Sequence, residues 1–161
     1  MYLKGVKDMT DNSVFNEVPI ELTMYGTLFS LTNRIQTIGD EVFSDITMKQ
    51  HFLLVTLMLF NDNYPTLKDV ADHIGCSYQN VKKMAAILEK DGYLRIVRDT
   101  EDKRKYKLII TDKVKTISYD IERDINDFIN VLYKDLSHDQ MINTIKALKQ
   151  MEHNLEAFRR K

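Results

Sequence analysis

Two short helical patterns, Leu67 to Ile74 and Tyr78 to about Lys90, are separated only by Gly75-Cys76-Ser77, and the hydrophobic period changes straight afterwards. A three-residue link containing a glycine is the tight connection of a helix-turn-helix. Leu67, Val70, Ala71 and Ile74 supply the buried face of the first helix, and Thr66 with Asp69 marks its start. Gly75 ends that helix, Ser77 caps the next, and Val81, Met84, Ala85 and Leu88 form the inner stripe of the second. Beyond Asp91-Gly92, the runs Tyr93–Val97 and Tyr106–Ile110 are short, branched or aromatic, and β-prone. The polar stretch Arg98–Lys105 between them closes a hairpin.

Long helices flank this centre. Residues 1–19 show little periodicity, end in Val18-Pro19, and read as a flexible N-terminal arm. Met24, Leu28, Leu31, Ile35, Ile38 and Val42 then form one stripe of a helix of about six turns. Thr47 and Gln50 form a capping-box pattern opening a helix that is apolar on nearly every side through Phe60, as expected of a buried central helix. Asn61-Asp62-Asn63-Tyr64-Pro65 stops it. Thr111 is expected to cap one long helix carrying Val114, Ile117, Ile121, Ile125, Phe128 and Leu132 and ending near Leu136. Ser137 with Gln140 starts a last helix with Met141, Ile145, Leu148, Met151, Leu155 and Phe158 as its stripe. The expected fold is mainly α with a small β-hairpin wing, a winged helix-turn-helix flanked by long dimerisation helices. Its regions are the arm (1–19), a dimerisation helix and buried helix (20–63), the winged helix-turn-helix (64–111) and C-terminal dimerisation helices (112–161).

Composition narrows the function classes. Five Gly and two Pro in 161 residues favour long helices over a β-sandwich, a collagen or a disordered linker. The net charge of −1 excludes a uniformly basic chromatin-type protein, yet residues 64–111 carry 10 basic and 7 acidic side chains, against 4 and 8 in residues 1–63. One cysteine cannot close an internal disulfide. The longest nearly apolar run, Phe52–Phe60, is about half of the ~20 residues a membrane span needs. Met1–Asn12 has no apolar core of a secretory signal, so the expectation is a soluble cytoplasmic protein.

The B-form major groove is ~12 Å wide and accepts one α-helix, and a hairpin tip beside it can reach the backbone or the minor groove. Tyr78, Gln79, Asn80, Lys82 and Lys83 lie outward near the start of the second helix, next to the cap Ser77. Gln79 and Asn80 suit adenine edges, and Lys82 and Lys83 suit guanine or phosphate. Lys103, Arg104 and Lys105 stand together at the hairpin tip. Each feature alone is also what an ordinary solvated face or loop looks like. The two share one requirement, cations where one groove geometry needs them.

Leu88-Glu89-Lys90-Asp91-Gly92-Tyr93-Leu94-Arg95, then Arg98, Asp102-Lys103-Arg104 and Leu108-Ile109-Ile110-Thr111, resemble in order and spacing the multiple-antibiotic-resistance regulator (MarR) family of bacterial transcription factors. Thr47-Met48-Lys49-Gln50 is similar to the opening of that family's second helix, and the resemblance spans residues from about 21 to 155. It implies a homodimer, built from the first helix and the last two, reading a near-palindromic operator in double-stranded DNA. It also implies recognition-helix roles for Asn80, Lys82 and Lys83, a wing-tip role for Arg104, and Asp102 as the acid that orients it. A small-molecule effector is implied too, in the crevice between winged helix and dimer helices, where Tyr25, Phe29 and Phe52 are candidates. Independently, three long amphipathic helices carry more apolar stripe than one small winged helix can cover. A two-fold dimer would bury the excess and set two reading heads ~34 Å apart.

Other signals are bland. Cys76 reads as a small residue filling a turn rather than a redox switch. His51, His73, His138 and His153 have no metal-ligand spacing, and the methionines fall mostly on helix stripes. With no phosphate loop, catalytic triad or paired carboxylates, no enzyme, cofactor or metal is expected. The alternative to a ligand-responsive DNA-binding repressor is a winged helix used as a protein-interaction module, its basic face docking an acidic partner.

Overall fold

The computed structural model describes residues 18–43, 46–60, 64–116 and 118–159, for 115–122 the backbone only. The arm expected over 1–19 (apart from Val18 and Pro19), the turn Asn61–Asn63, Ile117 and the side chain of Ile121 lie outside the described residues. The elements are α1 (Ile20–Val42), α2 (Met48–Leu59), α3 (Leu67–Ile74), α4 (Tyr78–Lys90), β1 (Leu94–Arg98), β2 (Tyr106–Ile110), α5 (Lys113–Thr116), α6 (Ser118–Leu132) and α7 (His138–Arg159). The chain divides after Ile121 into two compact units.

In the first unit, local chemistry sets the helix starts. Thr47 Oγ1 accepts the Gln50 N–H at 3.3 Å while Gln50 Oε1 accepts the Thr47 N–H at 2.8 Å, a complete capping box for α2. Thr66 and Asp69 do the same for α3, at 3.2 and 2.9 Å. Gly75 ends α3 in the left-handed region at φ 68°, where a side chain would cost about 1 kcal/mol or more. The apolar faces of α2, α3 and α4 then meet the base of the hairpin. Leu53, Leu67, Val70, Val81, Leu88, Leu94 and Leu108 are essentially sealed from solvent in one cluster. Each large aliphatic buried there contributes about 2 kcal/mol.

Helix α2 departs from expectation. Leu53, Leu54 and Leu57 are buried, but Phe52, Val55, Met58 and Leu59 are exposed, Leu59 at 70%. The α3–α4–hairpin cluster covers one side of α2 and leaves the other bare. Along α1 only Gly39 is buried. Asp40 Oδ1 accepts the Met48 N–H at 2.6 Å, and a Cβ on Gly39 would stand 3.1 Å from Met48 Cβ, so the end of α1 is held close to the start of α2.

The hairpin is antiparallel, running from Leu94↔Ile110 to Arg98↔Tyr106. The Ile96–Leu108 pair turns both its N–H groups outward, away from the partner strand, and both find acceptors. Leu108 N–H donates to the Pro65 carbonyl at 2.9 Å, where Thr66 bridges Lys107, and Ile96 N–H donates to Glu89 Oε1 at 2.6 Å. Pro65 therefore does more than stop α2. Thr111 is not the cap expected for the next helix, which starts at Lys113, one residue too late. Its hydroxyl instead donates toward the Gly92 and Tyr93 carbonyls, at 2.7 and 3.1 Å, closing the base of the hairpin.

Helical residues are described on both sides of Ile117, as α5 and α6, and α6 ends at Leu132, before the expected Leu136. In the second unit, Ser137 N–H donates to Gln140 Oε1 at 2.8 Å and Gln140 N–H to Ser137 Oγ at 3.2 Å, so α7 also starts with a capping pair. No residue of α7 is buried. Ile145, Leu148, Leu155 and Phe158 of its expected stripe are exposed, Phe158 at 78%.

Candidate nucleic-acid interface

The alternation of burial along α4 separates its two faces cleanly. Val81, Ala85 and Leu88 are buried and Met84 half-buried, while Ser77, Tyr78, Gln79, Asn80, Lys82 and Lys83 are all exposed. Ser77 Oγ accepts the Asn80 N–H at 3.3 Å and so serves as the N-cap of α4. Lys82 and Lys83 make no ion pair among the described residues. Two ammonium groups held on a helix, with no counterion among the described residues, are available to an external anion.

The hairpin tip is built differently, around two aspartates. Asp99 is 7% exposed although it is charged. Its Oδ2 lies 2.7 Å from Lys107 Nζ, and its Oδ1 accepts the backbone N–H groups of Glu101 and Asp102 at 2.7 and 3.0 Å. The Lys107 hydrogen bond, aided by those two N–H groups, holds its carboxyl down at about 2, and the same contact raises Lys107. Asp99 N–H donates to the Lys105 carbonyl at 3.0 Å, and Lys105 N–H to the Asp102 carbonyl at 2.8 Å, so the loop is cross-tied at its neck and its tip.

Asp102 is gripped by Arg104. Arg104 Nε and Nη2 approach the two carboxylate oxygens at 3.1 and 3.3 Å, and Arg104 N–H adds a third bond at 3.1 Å. These bonds lower the Asp102 carboxyl, the Arg104 side chain first. The Arg104 side chain is nevertheless 92% exposed, so the pairing fixes its direction without hiding it. Lys105 Nζ stands 3.9 Å from Asp102, while Lys103 is exposed with no ion pair among the described residues. Below the loop, Arg98 lies over the Tyr106 ring at 5.9 Å.

Three contributors escaped the sequence reading. Asp99 follows a recognisable turn pattern, an aspartate whose carboxylate bonds N–H groups two and three residues on. Lys107 and Glu89 carried no such signal, because their partners lie eight and seven residues away.

The candidate effector residues are only partly brought together. Tyr25 and Phe29 pack with ring centroids 4.8 Å apart on α1, Phe52 sits on α2, and all three are exposed. Cys76 is half-buried in the turn. Among the described residues no three His, Cys, Asp or Glu side chains could hold a metal ion, and no helix is long and apolar enough to cross a membrane.

A tight helix pair followed by a hairpin whose edge is tied to the second helix defines a winged helix-turn-helix. Residues 46–106 match the MarR family model. The whole fold is similar to that of a MarR protein from Peptoclostridium difficile, at 21% identity and TM-score 0.69, over 99% of this chain and 100% of that one. It is similar to a MarR family transcriptional regulator from Streptomyces coelicolor solved in complex with DNA, at 16% identity and TM-score 0.75, over 86% and 89%. It is also similar to BpsR of Bordetella bronchiseptica, a protein whose DNA binding is regulated by 6-hydroxynicotinic acid, at 17% identity and TM-score 0.68, over 81% and 98%. No curated protein matches by sequence.

Proposed function

We propose that this protein is a transcriptional regulator, not an enzyme, that binds double-stranded DNA as a homodimer at a near-palindromic operator and is released by a small-molecule effector, acting as a repressor. The observation that carries the reading is the pair of exposed cationic groups on one winged helix: Lys82 and Lys83 on α4, and Lys103, Arg104 and Lys105 at the wing tip. Residues 64–111 are the DNA-binding region. Ser77, Tyr78, Gln79 and Asn80 meet base edges or phosphate, and Asp102 orients Arg104. The MarR-family match and the DNA-bound relative support this assignment.

Dimerisation through residues 20–63 and 112–161 is supported by the uncovered apolar residues of α1, the bare side of α2 and the absence of any buried residue in α7. Tyr25, Phe29 and Phe52 are proposed to line the effector crevice, and the ligand-regulated relative supports an effector of small-molecule class.

The test is selection of bound sequences from a random duplex pool with the purified protein. The expected result is an enriched two-fold-symmetric site with half-sites about one turn, ~34 Å, apart. Binding to it should weaken with salt at a slope of about −0.9 per phosphate neutralised. Recovery of no preferred sequence, with salt-insensitive retention, would instead favour a protein-docking module.

A further inference from the structure

We propose that Asp99 is a positioning residue for Arg104, ordering the wing tip from inside the loop without touching DNA. The inference rests on the DNA-binding reading and deepens it by naming a determinant that does not lie on the contact surface.

The argument follows the hydrogen bonds outward. Lys107, the second residue of β2, presents its ammonium to Asp99 Oδ2 at 2.7 Å. The other oxygen of Asp99 holds the N–H groups of Glu101 and Asp102, at 2.7 and 3.0 Å. Asp102, its backbone so fixed, takes the guanidinium and the N–H of Arg104. A strand residue thus sets the direction of an arginine at the tip of an otherwise polar loop. The arrangement matters because a loop of Asp, Thr, Glu, Lys and Arg has no apolar side chain with which to order itself. An unordered tip would have to lose conformational freedom on every encounter with DNA. Asp99 is the one tip acid shielded from solvent, and its charge is offset by the Lys107 ammonium at 2.7 Å.

A double-mutant cycle in DNA affinity and the Arg104 Nε–H signal together decide the matter. Asp99→Ala should weaken binding to the selected duplex by about tenfold, the size of one oriented arginine contact. In an Arg104→Ala background the same change should have almost no further effect, because its route to DNA is already gone. Asp99→Asn, which keeps the acceptor for the two N–H groups but loses the charge facing Lys107, should fall between. Lys107→Met attacks the same device from the strand and serves if Asp99→Ala misfolds. Additive losses, or Asp99→Ala binding like the unmodified protein, would overturn the proposal. In the free protein, the Arg104 Nε–H resonance should shift and broaden in Asp99→Ala. An unchanged resonance also overturns it, and this readout stands even if no duplex is retained, an outcome that would sink only the DNA reading.

Discussion

Glu89 Oε1 accepts the backbone N–H of Ile96 at 2.6 Å, so the last turn of α4 is bonded directly to the first strand of the wing. This bond ties the proposed reading helix to the hairpin. Glu89→Ala should destabilise the protein by about 1 kcal/mol, because the freed N–H is exposed enough to find water. Glu89→Gln, which keeps an acceptor, should lose less. Urea unfolding of the three proteins measures both.

Lys83→Ala and Arg104→Ala should each weaken duplex binding and leave stability unchanged, since neither side chain is buried. If Lys83 contacts phosphate, its removal should lower the magnitude of the salt slope by about 1. Gel-shift titrations over a salt series read both quantities.

The turn between α3 and α4 depends on a positive φ. Gly75 has open space around its missing Cβ, so Gly75→Ala suffers only the backbone penalty of about 1 kcal/mol. Gly75→Asn should cost less, because asparagine tolerates the left-handed region. Thermal unfolding should rank the proteins Gly, Asn, Ala in falling order.

Acidification tests the Asp99 site. Its carboxyl is lowered in the folded protein from 3.8 to about 2 by Lys107 and two backbone N–H groups. A depressed folded value means that its stabilising contribution is complete above the unfolded value and is lost as pH falls toward 2. The side-chain carboxyl signal of Asp99 should therefore titrate with a midpoint near 2. Asp99→Asn should abolish that inflection.

Leu155 and Phe158 of α7 are largely exposed. If they lie in the proposed dimer interface, Leu155→Glu with Phe158→Glu should convert a two-chain species to a one-chain species in sedimentation velocity. A doubly substituted protein that still sediments as two chains would move the interface elsewhere.

What was legible in the sequence was mostly local. The Thr47–Gln50, Thr66–Asp69 and Ser77–Asn80 caps are contacts three residues apart, which spacing alone reveals. The inner stripe of α4 and the outward set from Ser77 to Lys83 follow from one helical period. The hairpin follows from the change of period after Gly92, which sits at φ 80°. Contacts across the chain were hidden. Nothing in Tyr64-Pro65 announces that the proline carbonyl pairs with Leu108, and nothing in Thr111 distinguishes a cap from a hydroxyl donating to Gly92, 19 residues back. The all-round apolarity of α2 was misleading for a different reason: periodicity records that a face will be covered, not whether this chain or another molecule covers it.

The two outward amides of the Ile96–Leu108 pair have a consequence beyond rigidity. A two-stranded ribbon normally leaves a row of unsatisfied donors on each side, a template onto which a foreign strand can grow. Here the central donor of one flank is taken by the Pro65 carbonyl and that of the other by the Glu89 side chain. Opening the Glu89 side should therefore expose a nucleation point for aggregation, most of all at high concentration without nucleic acid.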